Sequence, residues 1–190
     1  AILVELSPLA LVKVLGPVER KLPPGAVRSL LFALSKGKKN EFVCDKAVEL
    51  GVERIIFWQA ERSVARIHLG EHADKQIRLR RVAEAAAKQS CRNTVPDVII
   101  AMGVAQAIEA AEVREHDLAA VAALAPGTVL LRKLPRPAGK VHVVIGPEGD
   151  LTPRELSMLT ESGFVTVSLG PLVLRAETAA VVAIAVAQGL

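Results

Sequence analysis

Between residues 27 and 188 short apolar runs alternate with helix-period segments. That alternation restricts the chain to an α/β domain around a mostly parallel sheet, because parallel neighbours need a crossover of helical length. Val27 to Leu34 reads as a first strand and Arg54 to Trp58 as the next, with a helix from Glu41 to Leu50 between them, Asn40 as its N-cap and Gly51 just past its end. A long amphipathic helix spans about Ala73 to Arg92, with Ile77, Val82, Ala85 and Ala86 inward. Strands follow at Val98–Ala101, Val141–Ile145 and Phe164–Ser168, and helices at Val104–Val113 and Ala176–Gln188. The apolar stretch 118–124 fits either period. Ligands of such sheets sit beyond the carboxyl ends of the strands, which directs attention to the loops after Ile145 and Ser168.

Residues 2–14 alternate loosely, as a small strand pair does, and Gly16-Pro17 and Pro23-Pro24-Gly25 then break the chain. The expected division is 1–26 as the tail of another domain plus a linker, and 27–190 as the main domain. The opening on Ala1 suggests that something is missing upstream. Ala179–Ala187, the longest apolar stretch, is about half of the ~20 residues a membrane span needs, so a cytoplasmic protein without membrane attachment is expected. Cys44 and Cys91 have no partners at ligand spacing, and no metal is expected.

The net charge of +4 conceals two basic blocks. Residues 1–40 carry seven Lys/Arg against two acids, and residues 54–92 nine against four. Such blocks suit a polyanion, although a solvated helix face has the same composition. Tyr is absent and aromatics are few, so a base-stacking platform is not expected.

Two loops carry the chemistry. Gly146-Pro147-Glu148-Gly149-Asp150 leaves a strand through a rigid turn and enters a helix whose start, Thr152-Pro153-Arg154-Glu155, has the capping-box pattern. Leu169-Gly170-Pro171 leaves the next strand similarly and reaches a helix with Arg175 and Glu177 at its mouth. Placing two charges at the lip of an otherwise apolar helix costs desolvation unless a ligand or partner engages them, the alternative being a surface ion pair of little worth. The two loops together would form a pocket of bare backbone suited to an adenine or a small zwitterion. Neither a dinucleotide fingerprint nor a Walker A sequence occurs. The terminal helix is apolar all round, which predicts burial on every side, by a second copy or by the protomer's own core.

These loops, together with Lys36-Gly37-Lys38, Lys46-Ala47-x-Glu49-Leu50-Gly51-Val52, Glu61-Arg62-Ser63 and Gln89-x-x-Arg92-x-x-Val95-Pro96, resemble the bacterial small-subunit rRNA uridine-N3 methyltransferases of the SPOUT class over about residues 27–189. The resemblance implies a trefoil-knotted parallel sheet flanked by helices, where periodicity alone suggests an unknotted one. It implies S-adenosylmethionine as cofactor, a homodimer through the C-terminal helix, 16S rRNA or the small ribosomal subunit as partner, and a PUA-like RNA-binding β-barrel of which residues 1–26 are a remnant. It also makes 118–124 a strand whose following loop, from Leu124, walls the cofactor pocket. By the same resemblance Leu124, Gly146, Glu148, Gly149, Leu169, Gly170, Leu174, Ala176 and Thr178 contact the cofactor. Arg175 and Glu177 stand where cofactor and uridine meet, and Lys36, Lys38, Arg62, Gln89 and Arg92 face rRNA. Four positions depart from the family pattern: Asn40 and Lys88 replace Met and Glu, Ala125 a frequent His, and Asp150 a usual Gly.

The expected chemistry is an in-line methyl transfer in which the enzyme aligns the reactants and removes the N3 proton. Arg175 would stabilise the uridylate, with Glu177 orienting it or taking the proton through water. The competing expectation is a non-catalytic RNA-binding or ribosome-assembly factor on the same knotted dimeric fold. A small-molecule enzyme holding a phosphate in the Gly-Pro loops would leave the basic blocks idle.

Overall fold

A computed structural model describes residues 2–6, 10–13, 16, 27–66, 69–124 and 127–190. Strands β1 (Ile2–Leu6) and β2 (Ala10–Lys13) form a separate antiparallel pair. Most of the expected linker at 16–26 lies outside the described residues, as does Ala125.

The main sheet has seven parallel strands: β3 (Val27–Ala33), β4 (Arg54–Trp58), β5 (Asp97–Ala101), β6 (Leu118–Ala122), β7 (Val129–Leu130), β8 (Val141–Ile145) and β9 (Val165–Ser168). Their spatial order is β5-β4-β3-β8-β6-β9-β7. The stretch that fitted either period is thus a strand, and β7 was not foreseen. Helices α1 (Lys39–Glu49), α2 (His72–Gln89), α3 (Val104–Ala111), α4 (Pro153–Glu161) and α5 (Ala176–Gln188) cover both faces. Alternate strand residues therefore feed two cores. Leu30, Phe32, Ile55, Phe57 and Val143 pack with α1, α2 and α5, and Phe32 meets Phe57 edge-on at 6.1 Å. Leu31, Ala33, Ile56, Trp58 and Val144 pack on the opposite face with α3 and with Leu159 of α4. No helix among the described residues is long and apolar enough to cross a membrane.

Two local expectations need correction. Asn40 does not cap α1. Its buried amide accepts from Ser35 N–H at 3.1 Å and donates to Ser35 C=O at 2.7 Å, clamping the loop after β3 instead. On α2 the inward face is Leu79, Ala83, Ala86 and Ala87, while Ile77 and Ala85 are exposed. The inward stripe starts two residues later than expected because periodicity fixes the spacing of a stripe better than its phase. Helix α5 buries Ala176, Ala179, Ala180, Ala183 and Ile184 in its own protomer and leaves its remaining apolar residues half-buried there.

Candidate cofactor and RNA site

The site is built where β8, β6 and β9 lie side by side. Register aligns Ile145 with Ala122, and Ala122 with Val167, so three strands end level and three loops leave from one edge. Those loops wall an open cleft of about 140 Å³. Leu124, Gly146, Glu148, Leu169, Gly170, Leu174 and Ala176 line it. Gly149 and Thr178 do not, and Arg175 and Glu177 stand outside the lining.

Each wall has a local cause. The β8 loop closes through Asp150 N–H donating to Pro147 C=O at 2.9 Å. It feeds α4 through a complete capping box, with Thr152 and Glu155 bonded reciprocally and Pro153 in the first turn. A Cβ at Gly146 would crowd Leu151 at 3.1 Å. Asp150 holds φ +62°, the left-handed region where glycine is at ease and Asp is tolerated. In the β9 loop Ser168 Oγ donates to Gly170 C=O and accepts from Gly170 N–H, fixing Gly170 at φ +152°. Leu124, Leu172 and Val173 are exposed at 68%, 75% and 75%, leaving an apolar rim.

Arg175 ends this loop as the residue before α5, with an exposed side chain that makes no hydrogen bond or ion pair among the described residues. Arg175 and Glu177 do not pair with each other, since residues two apart at a helix start do not face each other. Glu177 instead lies 3.5 Å from Lys39 Nζ, which also donates to Glu148 at 2.9 Å. Hydrogen bonding to Glu148 leads the causes that raise the Lys39 pKa. Burial pushes Glu148 upward, but its hydrogen bonds to Lys39, to backbone and to Ser35 and the nearby Lys39 charge together outweigh it and hold the carboxyl below its usual range. Lys39 was not singled out from the sequence; its signal was the run Lys36-Gly37-Lys38-Lys39, one residue longer than the stretch noted.

The residues expected to face RNA separate into two groups. Lys36, Lys38 and Gln89 are exposed. Arg62 is exposed too, but its guanidinium donates to Gly149 C=O at 3.3 Å, and its backbone and Cβ pack 3.2 Å from where a Gly149 side chain would stand. Buried Glu155 fixes this loop as well, accepting from Glu61 N–H at 2.8 Å, a second duty its capping motif did not reveal. Arg92 turns inward and donates to Val48 C=O and Val52 C=O at 2.9 and 2.8 Å. Burial lowers its pKa. No cluster able to hold a metal occurs among the described residues.

The geometry can be set beside known proteins. A sequence profile for the RNA methyltransferase domain matches residues 25–188. Ribosomal RNA small subunit methyltransferase E of Mycobacterium bovis is 37% identical over 161 residues, 82% of this chain and 60% of that protein. A crystal structure of the same-named protein from Neisseria gonorrhoeae, bound to S-adenosyl methionine, superposes with a TM-score of 0.77 at 30% identity, covering 86% of this chain and 66% of that one. A putative methyltransferase from Legionella pneumophila, in complex with the same cofactor, gives 0.77 at 32% identity over 86% of this chain and 66% of that one. The chain thus spans about 60% of the length of the curated relative and 66% of each of the two solved ones.

Proposed function

The chain belongs to the RNA methyltransferase domain family, and from that premise we propose that it transfers a methyl group from S-adenosylmethionine to N3 of a uridine in small-subunit (16S) ribosomal RNA. The observation that carries this reading is the composition of the cleft. Its walls are backbone and apolar side chains, and among the described residues its charged lining residues are Glu148, paired with Lys39, and Asp150. Such a site takes an adenine and an apolar chain, and with no cation among its described lining residues it suits a sulfonium better than an anionic phosphate. The residues therefore fit the cofactor, and Gly146, Glu148, Leu169, Gly170, Leu174 and Ala176 would hold it.

Bound there, S-adenosylmethionine supplies a methyl carbon activated for in-line displacement. What the protein adds is placement and charge. Uridine N3 is a weak acid, comparable with a phenol, so a cation beside it favours the deprotonated, nucleophilic form. Arg175 is that cation: it stands at the end of the β9 loop beside the mouth, exposed and committed to no other group among the described residues. Glu177, in the first turn of α5, would take the proton directly or through water. Lys36, Lys38, Gln89 and Arg62 meet the RNA through phosphates and local shape, so binding weakens as salt rises.

The reading extends to the assembly. A trefoil passage of the C-terminal segment is supported by the place of β8 between β3 and β6 and by the return of α5 onto α1, β3 and β8. A homodimer is supported by the half-buried apolar face of α5, including Val181, Val182 and Ala185. The antiparallel β1–β2 pair accords with part of a PUA-like barrel in residues 1–26. A ribosomal substrate places the protein in the cytoplasm.

Two measurements test the function. Calorimetry with S-adenosylmethionine should give saturable binding, and mass mapping of rRNA from cells with and without the protein should find one N3-methylated uridine that depends on it. RNA binding without cofactor binding would replace the enzyme with a non-catalytic assembly factor. A methyl group on another atom would overturn the N3 assignment.

A further inference from the structure

We propose that Lys39 is a positioning residue: its ammonium ties Glu148, on the loop after β8, to Glu177, in the first turn of α5, and holds both in register with the basic loop at Lys36–Lys38. The role rests on the proposed methyl transfer and adds to it a residue outside the cleft lining.

Four observations support it. The ammonium lies 2.9 Å from Glu148 Oε1 and 3.5 Å from Glu177 Oε2, so one cation bridges carboxylates from two loops of the site. Glu177 Oε2 is buried and has no hydrogen-bond partner, which makes the Lys39 charge its compensation. Without that charge the two carboxylates would face each other and repel. Second, Lys39 is the first residue of α1, where the helix dipole disfavours a cation, and Lys38 before it offers no side-chain cap. Helix stability does not account for a lysine there; the carboxylates do. Third, Asn40 bonds both backbone groups of Ser35, making residues 35–40 a stiff unit that carries the exposed Lys36 and Lys38 beside the tie. Finally, the raised Lys39 pKa and the depressed Glu148 pKa agree with a pair that stays charged at neutral pH.

The test uses the full chain with Lys39→Met, Lys39→Gln and Lys39→Arg, each also combined with Glu177→Gln. Displacing a reacting geometry by an ångström costs on the order of 100-fold. K39M and K39Q should therefore lower kcat about 30- to 100-fold while KM for the RNA stays within about twofold, and K39R should recover kcat to within about threefold. Because Lys39 acts through Glu177, the K39M/E177Q double variant should lose less than the product of the two single losses. A merely structural lysine would lower the melting temperature and leave kcat alone. That result, or full additivity with E177Q, would overturn the proposal while an active wild type upholds the function. A wild type that neither binds S-adenosylmethionine nor methylates RNA would overturn the function and this role with it.

Discussion

The two ends of the main sheet spend their polar residues differently. At the amino ends of the strands, Arg28 and Arg54 share Glu112 at 3.3 and 2.9 Å, Arg54 also reaches Asp97 at 3.4 Å and Ala110 C=O at 2.8 Å, and Lys140 pairs with Glu53 at 3.1 Å. Beneath them Asp117 accepts from Lys140 N–H, Arg114 N–H and the fully buried His142 ring at 2.7, 3.0 and 3.0 Å. At the carboxyl ends, apart from the Lys39 tie between Glu148 and Glu177, the loops offer backbone, an apolar rim and an Arg175 with no partner among the described residues. One end is closed on itself and the other is open. A charged group committed to the fold has little left for a ligand, so the site belongs at the end where commitments are missing.

The largest effect expected from that contrast is on catalysis. Arg175→Ala should lower kcat by 10²–10³-fold, about 2.7–4 kcal/mol as for loss of a preorganised donor, with cofactor affinity and melting temperature near wild type. Steady-state kinetics alongside calorimetry would check it. Near-normal turnover would return Arg175 to the surface.

The closed end should answer in stability instead. Asp117→Asn removes the charge from a buried acceptor set and should destabilise by about 3 kcal/mol, read as a lower urea midpoint, while the folded variant stays active. Acid should act on the same place. Burial outweighs the pull of Asp117 and holds His142 below its ordinary value, and the bonds to Asp117 outweigh its own burial and hold that carboxyl low. Both groups are protonated more readily in the unfolded chain. Their contributions are therefore complete above about pH 6.5 and decline as pH falls, that of His142 first and that of Asp117 below about pH 4. A urea midpoint flat from pH 7 to pH 4 would contradict this.

A smaller effect separates two basic residues that one motif reading grouped together. Arg92→Ala should cost about 2 kcal/mol of stability, because two buried carbonyls lose their donor. It should leave the salt dependence of RNA binding unchanged. Lys38→Ala should reduce the slope of log affinity against log salt by about 1 and leave stability alone. The smallest effect lies in the pocket loop. Asp150→Gly relieves a left-handed Asp but loses its bond to Leu151 N–H, so a stability gain of no more than about 0.5 kcal/mol is expected, with cofactor affinity moved less than about threefold.

Much of this was readable in one dimension. The seven-residue run of β3 and the capping box at Thr152–Glu155 are local patterns, and local patterns survive projection onto a sequence. The Asn40 cap failed for the opposite reason. An Asn before a helix is a good cap in isolation, yet here Ser35 offers a better use for its amide. Arg62 and Arg92 fell within the same basic block, and nothing in that block tells an arginine that meets solvent from one that meets Val48 C=O and Val52 C=O. The bond of Glu155 to Glu61 N–H and the role of Lys39 escaped notice because those partners lie 94 and more than 100 positions away.

The sequence by itself determined most of the strands and helices, β6 and β7 excepted, that the sheet is mostly parallel, and that backbone-rich loops leave its strands, because hydrophobic period and turn chemistry act over a few residues. Only the tertiary structure decided that β8 lies between β3 and β6, that the loops after β6, β8 and β9 enclose one cleft, and that Lys39 joins Glu148 to Glu177. Those outcomes depend on strand order, and strand order is set by packing both faces of the sheet at once, a constraint no short window of residues contains.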